Sequence, residues 1–142
     1  MVLKVMMAAG AAALVLGGAA HAQLLAHGKA FEKLTVSKAA LGSAQIRLWA
    51  NTAIDPDCTE HPGATLSVLE PPAHGTASVD TQPFYAAFPA SNPRSACNSR
   101  KVPGRQVFYT ANAGFTGHDK VVLQGSTPDG RVRQISVDIL VR

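Results

Sequence analysis

The sequence of 142 residues predicts an all-β fold, an antiparallel sandwich or small barrel of six to seven short strands. Three observations carry that expectation. Eight of the nine prolines fall between Pro56 and Pro103, and each would cost a helix interior about 3 kcal/mol. On either side of that region apolar residues recur with period two, most clearly where Ile135, Val137, Ile139 and Val141 alternate with Gln134, Ser136 and Asp138. The runs are separated at close spacing by turn chemistry: Glu70-Pro71-Pro72, Asn112-Ala113-Gly114, Thr116-Gly117 and Pro128-Asp129-Gly130.

The chain opens on a segment unlike the rest. Its first 22 residues hold 17 apolar side chains, all three methionines and a single charge, Lys4. Lys4 supplies a positive start, Val5 to Leu16 an apolar stretch of 12 residues, and Ala20-His21-Ala22 a small-x-small cleavage site. This is the pattern of an export signal. A permanent bilayer span takes about 20 apolar residues, so no stable membrane anchor is expected. Residues 1–22 are read as a signal peptide and residues 23–142 as one domain, periplasmic or secreted. Without Lys4 the net charge falls from +4 to +3.

The elements of that domain follow in order. Between Gly28 and Leu41 the pattern allows a helical turn, or equally a strand at Leu34-Thr35-Val36. Ala44, Ile46, Leu48 and Ala50 then alternate with Gln45, Arg47, Trp49 and Asn51, which places Trp49 on the polar side of a strand. Leu66 with Val68, Val107 with Tyr109, and Val121 with Leu123 mark further strands before the C-terminal one. Cys58 and Cys97, an even pair in an exported chain, are read as a disulfide. Closing a loop of about 40 residues stabilises by roughly 4 kcal/mol in the chain-entropy model.

One stretch breaks the rhythm. Between the strand ending near Val79 and the one starting near Arg105 lie 25 residues, Asp80 to Gly104, longer than connections in a compact domain normally run without regular structure. This insertion (residues 80–104) carries Phe84, Tyr85 and Phe88, followed by Arg94, Arg100 and Lys101, with Arg105 at its exit and no acidic residue after Asp80.

The second half resembles a known family. Pro72-Ala73-His74-Gly75-Thr76 resembles the hairpin opening of bacterial immunoglobulin-like domains of the cadherin-like, adhesin-repeat type. Gly104 to Thr110 resembles their following strand, and Ala113-Gly114-Phe115-Thr116-Gly117-His118-Asp119 their Gly-Phe-x-Gly-x-Asp turn. The resemblance covers roughly residues 66–141 and implies an immunoglobulin-like sandwich. This chain differs in holding one copy, with the long insertion in place of a short turn. The turn is legible without the family. Gly114 and Gly117 permit positive φ, Phe115 can plug the end of the sandwich, and Asp119 can accept hydrogen bonds from turn amides.

The search for chemistry favours a non-enzyme. There is no Gly-x-Ser-x-Gly elbow and no phosphate-cradling glycine loop, and the two cysteines are claimed by the disulfide. Nucleic acid is not expected from a net charge of +3 without a recognisable motif. Asp55, Asp57, Glu60 and His61 fall within seven residues and form a candidate metal site, since carboxylates suit calcium and an added imidazole suits zinc or copper. The alternative is a turn ahead of the disulfide. No cofactor is expected. The expected function is a non-enzymatic domain, binding or structural in the cell envelope. Its candidate partner-binding residues are Phe84, Tyr85, Phe88, Arg94, Arg100, Lys101 and Arg105, where cations beside aromatics suit an envelope protein or an anionic glycan.

Overall fold

Alternation decides which face of each strand is buried, and the C-terminal strand shows it most clearly. The computed structural model describes residues 31–142, and the export signal read over residues 1–22 lies outside them. In β9 (Val132–Val141), Ile135, Val137, Ile139 and Val141 are buried while Arg133 and Asp138 face solvent. β8 (Gly117–Ser126) runs antiparallel to it in unbroken register, from Gly117 opposite Val141 to Ser126 opposite Val132. β3 (Thr65–Glu70) lies on the far side of β8, and β1 (Phe31–Ala40) on the far side of β9.

A second sheet has β7 (Arg105–Ala111) at its centre, with β2 (Ile46–Asn51) and β4 (Gly75–Thr81) antiparallel on either side. The two sheets face each other across one core. Leu48, Val107 and Tyr109 meet Leu66, Val121, Leu123 and the β9 row there, which makes the fold the all-β sandwich that the alternation predicts.

Three expectations need correction. The first sheet is mixed rather than antiparallel, because β1 pairs with β9 in parallel, Phe31 opposite Val132 through Ala40 opposite Val141. Side-chain alternation reads the same in both directions, so periodicity is blind to strand sense. The same pairing resolves the ambiguous segment near Leu34 as strand over residues 31–40. Leu34 and Val36 pack inward, and the edge of β9 supplies the hydrogen-bond partners.

The second correction concerns Trp49. Arg47 lies opposite Phe108, yet Trp49 lies opposite Val107, so Leu48 is an extra residue in a β-bulge. Without the bulge Trp49 would oppose Gln106 on the outer face. With it, Leu48 is buried and Trp49 also packs against the core, not on the polar side. β3 carries a similar irregularity around Leu69, which is left exposed.

The third correction concerns the insertion. β4 runs on to Thr81, and the remaining residues hold regular structure: β5 (Phe84–Tyr85) pairs antiparallel with β6 (Lys101–Val102), and a short 3-10 helix, Ser95–Ser99, lies between them. These residues form a lobe with its own apolar nucleus of Ile54, Phe84, Ala86, Cys97 and Val102, against which Ala50, Cys58 and Phe88 pack.

At the other end of the sandwich, the turn from β7 to β8 is a built corner. Gly114 and Gly117 have φ of +78° and +123°. Phe115 packs against the core and stacks on His74, with ring centroids 4.2 Å apart. Asp119 is buried and accepts hydrogen bonds from the amides of Ala73, His74 and Lys120 and from the Tyr109 hydroxyl. Its carboxyl is pulled two ways: burial raises its pKa, but these donors outweigh burial and hold it below the usual carboxylate range. Burial, reinforced by Asp119, pushes the Tyr109 phenol up to about 12.

Candidate functional site

Proline, glycine and polar residues keep the segment after β2 irregular, and its backbone folds into a tight loop. Ile54 bridges to Glu60, the Asp55 amide donates to the Thr59 carbonyl, and the His61 amide donates to the Ala53 carbonyl. Cys58 sits in the left-handed region at φ +71° and is joined to Cys97, buried in the lobe nucleus, so the expected disulfide is present.

The acidic cluster on this loop does not close around a metal. Among the described residues no three His, Cys, Asp or Glu side chains gather in a way that could hold an ion. Asp57 accepts hydrogen bonds from the hydroxyl and amide of its own Thr59, which hold its carboxyl below the usual range. Asp55 faces His61 at 3.6 Å, and Glu60 is exposed. Of the four residues predicted as ligands, Asp57 serves the turn, Asp55 and His61 face each other, and Glu60 stands apart in solvent.

The lobe is fastened to this loop at several points. Arg94 Nε donates to the Ile54 carbonyl, and an Arg100 guanidinium nitrogen donates to the Asp57 carbonyl at 2.5 Å. Thr52 donates its hydroxyl to the Pro103 carbonyl at 2.6 Å. The side chain of Asn98 clasps the backbone of Phe88 from both sides, accepting from its amide and donating to its carbonyl, each at 2.9 Å. The long connection is therefore ordered by specific bonds rather than by length.

The structure divides the seven predicted binding residues. Phe84 faces inward, 8% exposed, with the Arg47 guanidinium 5.6 Å from its ring centroid. It belongs to the lobe nucleus rather than to a binding surface. Arg100 anchors the lobe. Tyr85 is exposed, and Lys101 lies over its ring at 6.0 Å. Arg105 is exposed at the start of β7. Phe88 and Arg94 turn to another side, where they line a cleft of about 520 Å³.

That cleft is the candidate site. One wall is the lobe, from Phe88 to Arg94. A second is the loop of residues 51–61, and a third is the β8–β9 turn with Thr127, Asp129, Arg131 and Arg133. Trp49, brought to this side by the bulge, also lines it. Asn51 ties the cleft base together, donating through Nδ2 to the Thr65 carbonyl at 2.7 Å and to the Ser126 carbonyl at 2.9 Å.

Three guanidinium groups and two aspartates line the cleft. Arg131 is paired with Asp129 at 2.8 Å and Arg133 with Glu32 at 2.9 Å, whereas Arg94 has no carboxylate partner among the described residues. Sequence reasoning missed Trp49, Arg131 and Arg133 as cleft residues. Only the bulge signals the first, and the others lie nearly 40 residues from Arg94 in the chain.

No family model matches the chain, and no curated protein does. Among solved structures it is loosely similar to the solution structure of Amebosin, at 13% identity and TM-score 0.43, covering 79% of this chain and 98% of the other. The cysteine protease inhibitor EhICP2 from Entamoeba histolytica follows at 15% identity and TM-score 0.39, covering 79% and 95%. PbICP-C, solved in complex with falcipain-2, matches at 8% identity and TM-score 0.34, covering 79% and 91%. Superpositions this loose leave the functional reading to the residues of the chain itself.

Proposed function

We propose that this chain is an exported, non-enzymatic binding domain of the cell envelope, and that the tethered lobe is its recognition element. One observation carries the reading. The lobe is stiffened by its own apolar nucleus, a disulfide and backbone-directed arginine bonds, and it stands against the β8–β9 turn across a cleft lined by arginines and aromatic rings. A stiff wall of this kind lowers the ordering cost of binding. The cleft also has the size and mixed lining of ligand sites, which run from roughly 300 to 1,000 Å³.

The test compares the protein with two variants for retention of components from an envelope extract. The cleft variant carries Phe88→Ala and Arg131→Gln, and the outer-face variant carries Tyr85→Ala and Lys101→Ala. Loss of a retained component in the cleft variant, with melting temperature held within a few degrees, supports the reading. Retention unchanged in both variants overturns it. A cysteine protease, the partner class named for the Entamoeba histolytica protein, serves as one defined protein probe in the same assay.

A further inference from the structure

We propose that the cleft binds a carboxylate-bearing saccharide, held by Arg94 with a sugar ring against Trp49; this rests on the recognition role given to the lobe. The inference begins with how Arg94 is held. Its backbone amide donates to the Asn92 side chain at 2.9 Å, and its Nε–H donates to the Ile54 carbonyl. Those two bonds fix both ends of the side chain and leave its terminal guanidinium nitrogens without a carboxylate partner among the described residues. A pre-positioned fork of two N–H donors matches a carboxylate in the bidentate geometry that makes such pairs strong.

The neighbouring arginines differ. Arg131 and Arg133 already face Asp129 and Glu32, which offset their charge, so neither offers a free fork. Asp55 also lines the cleft, with its carboxylate 3.6 Å from the His61 ring. The rest of the lining decides between classes of anion. A free inorganic anion would need only cations. Here half-buried Trp49 and Phe88 supply apolar ring surface, while the Asn92 amide nitrogen and the hydroxyl oxygens of Thr52 and Thr127, whose own protons go to Pro103 and Asp129, supply polar partners.

Aromatic faces against C–H surfaces, with hydroxyl and amide partners around them, suit a sugar ring. The volume of about 520 Å³ suits a small ligand of up to three sugar rings better than a folded surface. An acidic peptide would satisfy Arg94 but would leave the ring surface without a matching flat partner.

Trp49 is the one tryptophan of the chain, so its fluorescence reports this cleft directly. The experiment titrates the protein with trigalacturonate, with its methyl ester as the neutral control, and with hexaglutamate as an acidic peptide. Both Trp49 emission and amide chemical shifts are followed. Trigalacturonate is expected to change the emission and to shift amides in residues 49–61, 88–94 and 125–133, with little response to the ester. Arg94→Gln should weaken that binding at least tenfold, and Arg94→Lys, which keeps the charge but not the fork, should restore only part of it.

Equal binding of hexaglutamate, or binding indifferent to Arg94→Gln, overturns the proposal. Silence of the cleft toward trigalacturonate overturns it as well. If a retained envelope protein is lost in the cleft variant while the saccharide stays silent, the ligand class falls and the binding role stands. Silence together with unchanged retention removes both.

Discussion

The Tyr109 hydroxyl donates to Asp119 Oδ2 at 2.9 Å inside the sandwich, which joins β7 to β8 across the turn that connects them. Asp119 also collects three backbone amides, two of them from the β3–β4 connection, so one carboxylate fixes both loops at this end. The cleft lies elsewhere, among the β2–β3 loop, the lobe and the β8–β9 turn. Stability at the corner and recognition at the cleft can therefore be altered separately.

Asp119→Asn should lower unfolding free energy by on the order of 3 kcal/mol, because buried donors lose a charged acceptor. Tyr109→Phe should cost about 1–2 kcal/mol, since the carboxylate keeps its amides. Denaturant unfolding at neutral pH checks both.

The pH dependence has a definite sign on each side. Asp119 has a folded pKa below its unfolded value, so its contribution is present above the ordinary carboxylate range and fades as pH falls through the folded pKa. Tyr109 is raised to about 12, so its contribution holds below the ordinary phenol pKa of about 10 and is lost as pH rises from there toward 12. Asp57 and Asp129 are lowered too, which is why the acid limb must be compared with that of Asp119→Asn. A smaller acid-side slope in the variant is the expected result of unfolding measurements across pH.

Reduction of the disulfide should loosen the lobe before it unfolds the sandwich. The bond joins residues 39 apart, and the chain-entropy model assigns such a loop roughly 4 kcal/mol. Hydrogen exchange after Cys58→Ser with Cys97→Ser should accelerate first over residues 82–104, while the paired amides of β8 and β9 stay protected.

Gly104 marks where the lobe rejoins β7. A Cβ there would overlap the Phe84 ring and lie 2.8 Å from the Asn51 carbonyl. Gly104→Ala should therefore shift the lobe and destabilise by about 1–3 kcal/mol, as overpacking does. Gly114→Ala, with open space around it but φ of +78°, separates backbone strain from packing in the same melts.

Asn51→Ala should open the base of the cleft. It removes bonds to the Thr65 and Ser126 carbonyls, a loss of about 1–3 kcal/mol. Trp49 emission should shift with it, because both side chains line the cleft.

Much of the fold was legible in the sequence, for local reasons. The β9 alternation and the turn glycines depend on residues within a few positions of one another, where steric and hydrogen-bond preferences act directly, whereas Asp119, legible as an acceptor, draws two of its amides from the distant β3–β4 connection. Pairing Cys58 with Cys97 needed only an even count and the expectation of export. What the sequence could not show depends on direction, on register or on meetings between distant segments. Period-two patterning carries no strand sense, so parallel β1 was invisible. A single extra residue at Leu48 reverses the face of Trp49, and no composition rule flags it. Phe84 and Tyr85 look alike in the sequence, yet one is core and the other surface, because burial depends on what packs above each face. By itself, then, the sequence determined an all-β chain with a tethered insertion. Tertiary packing alone decided that the insertion is a lobe, that most of its basic residues fasten or frame it, and that Arg94 meets Trp49, Arg131 and Arg133 around one cleft.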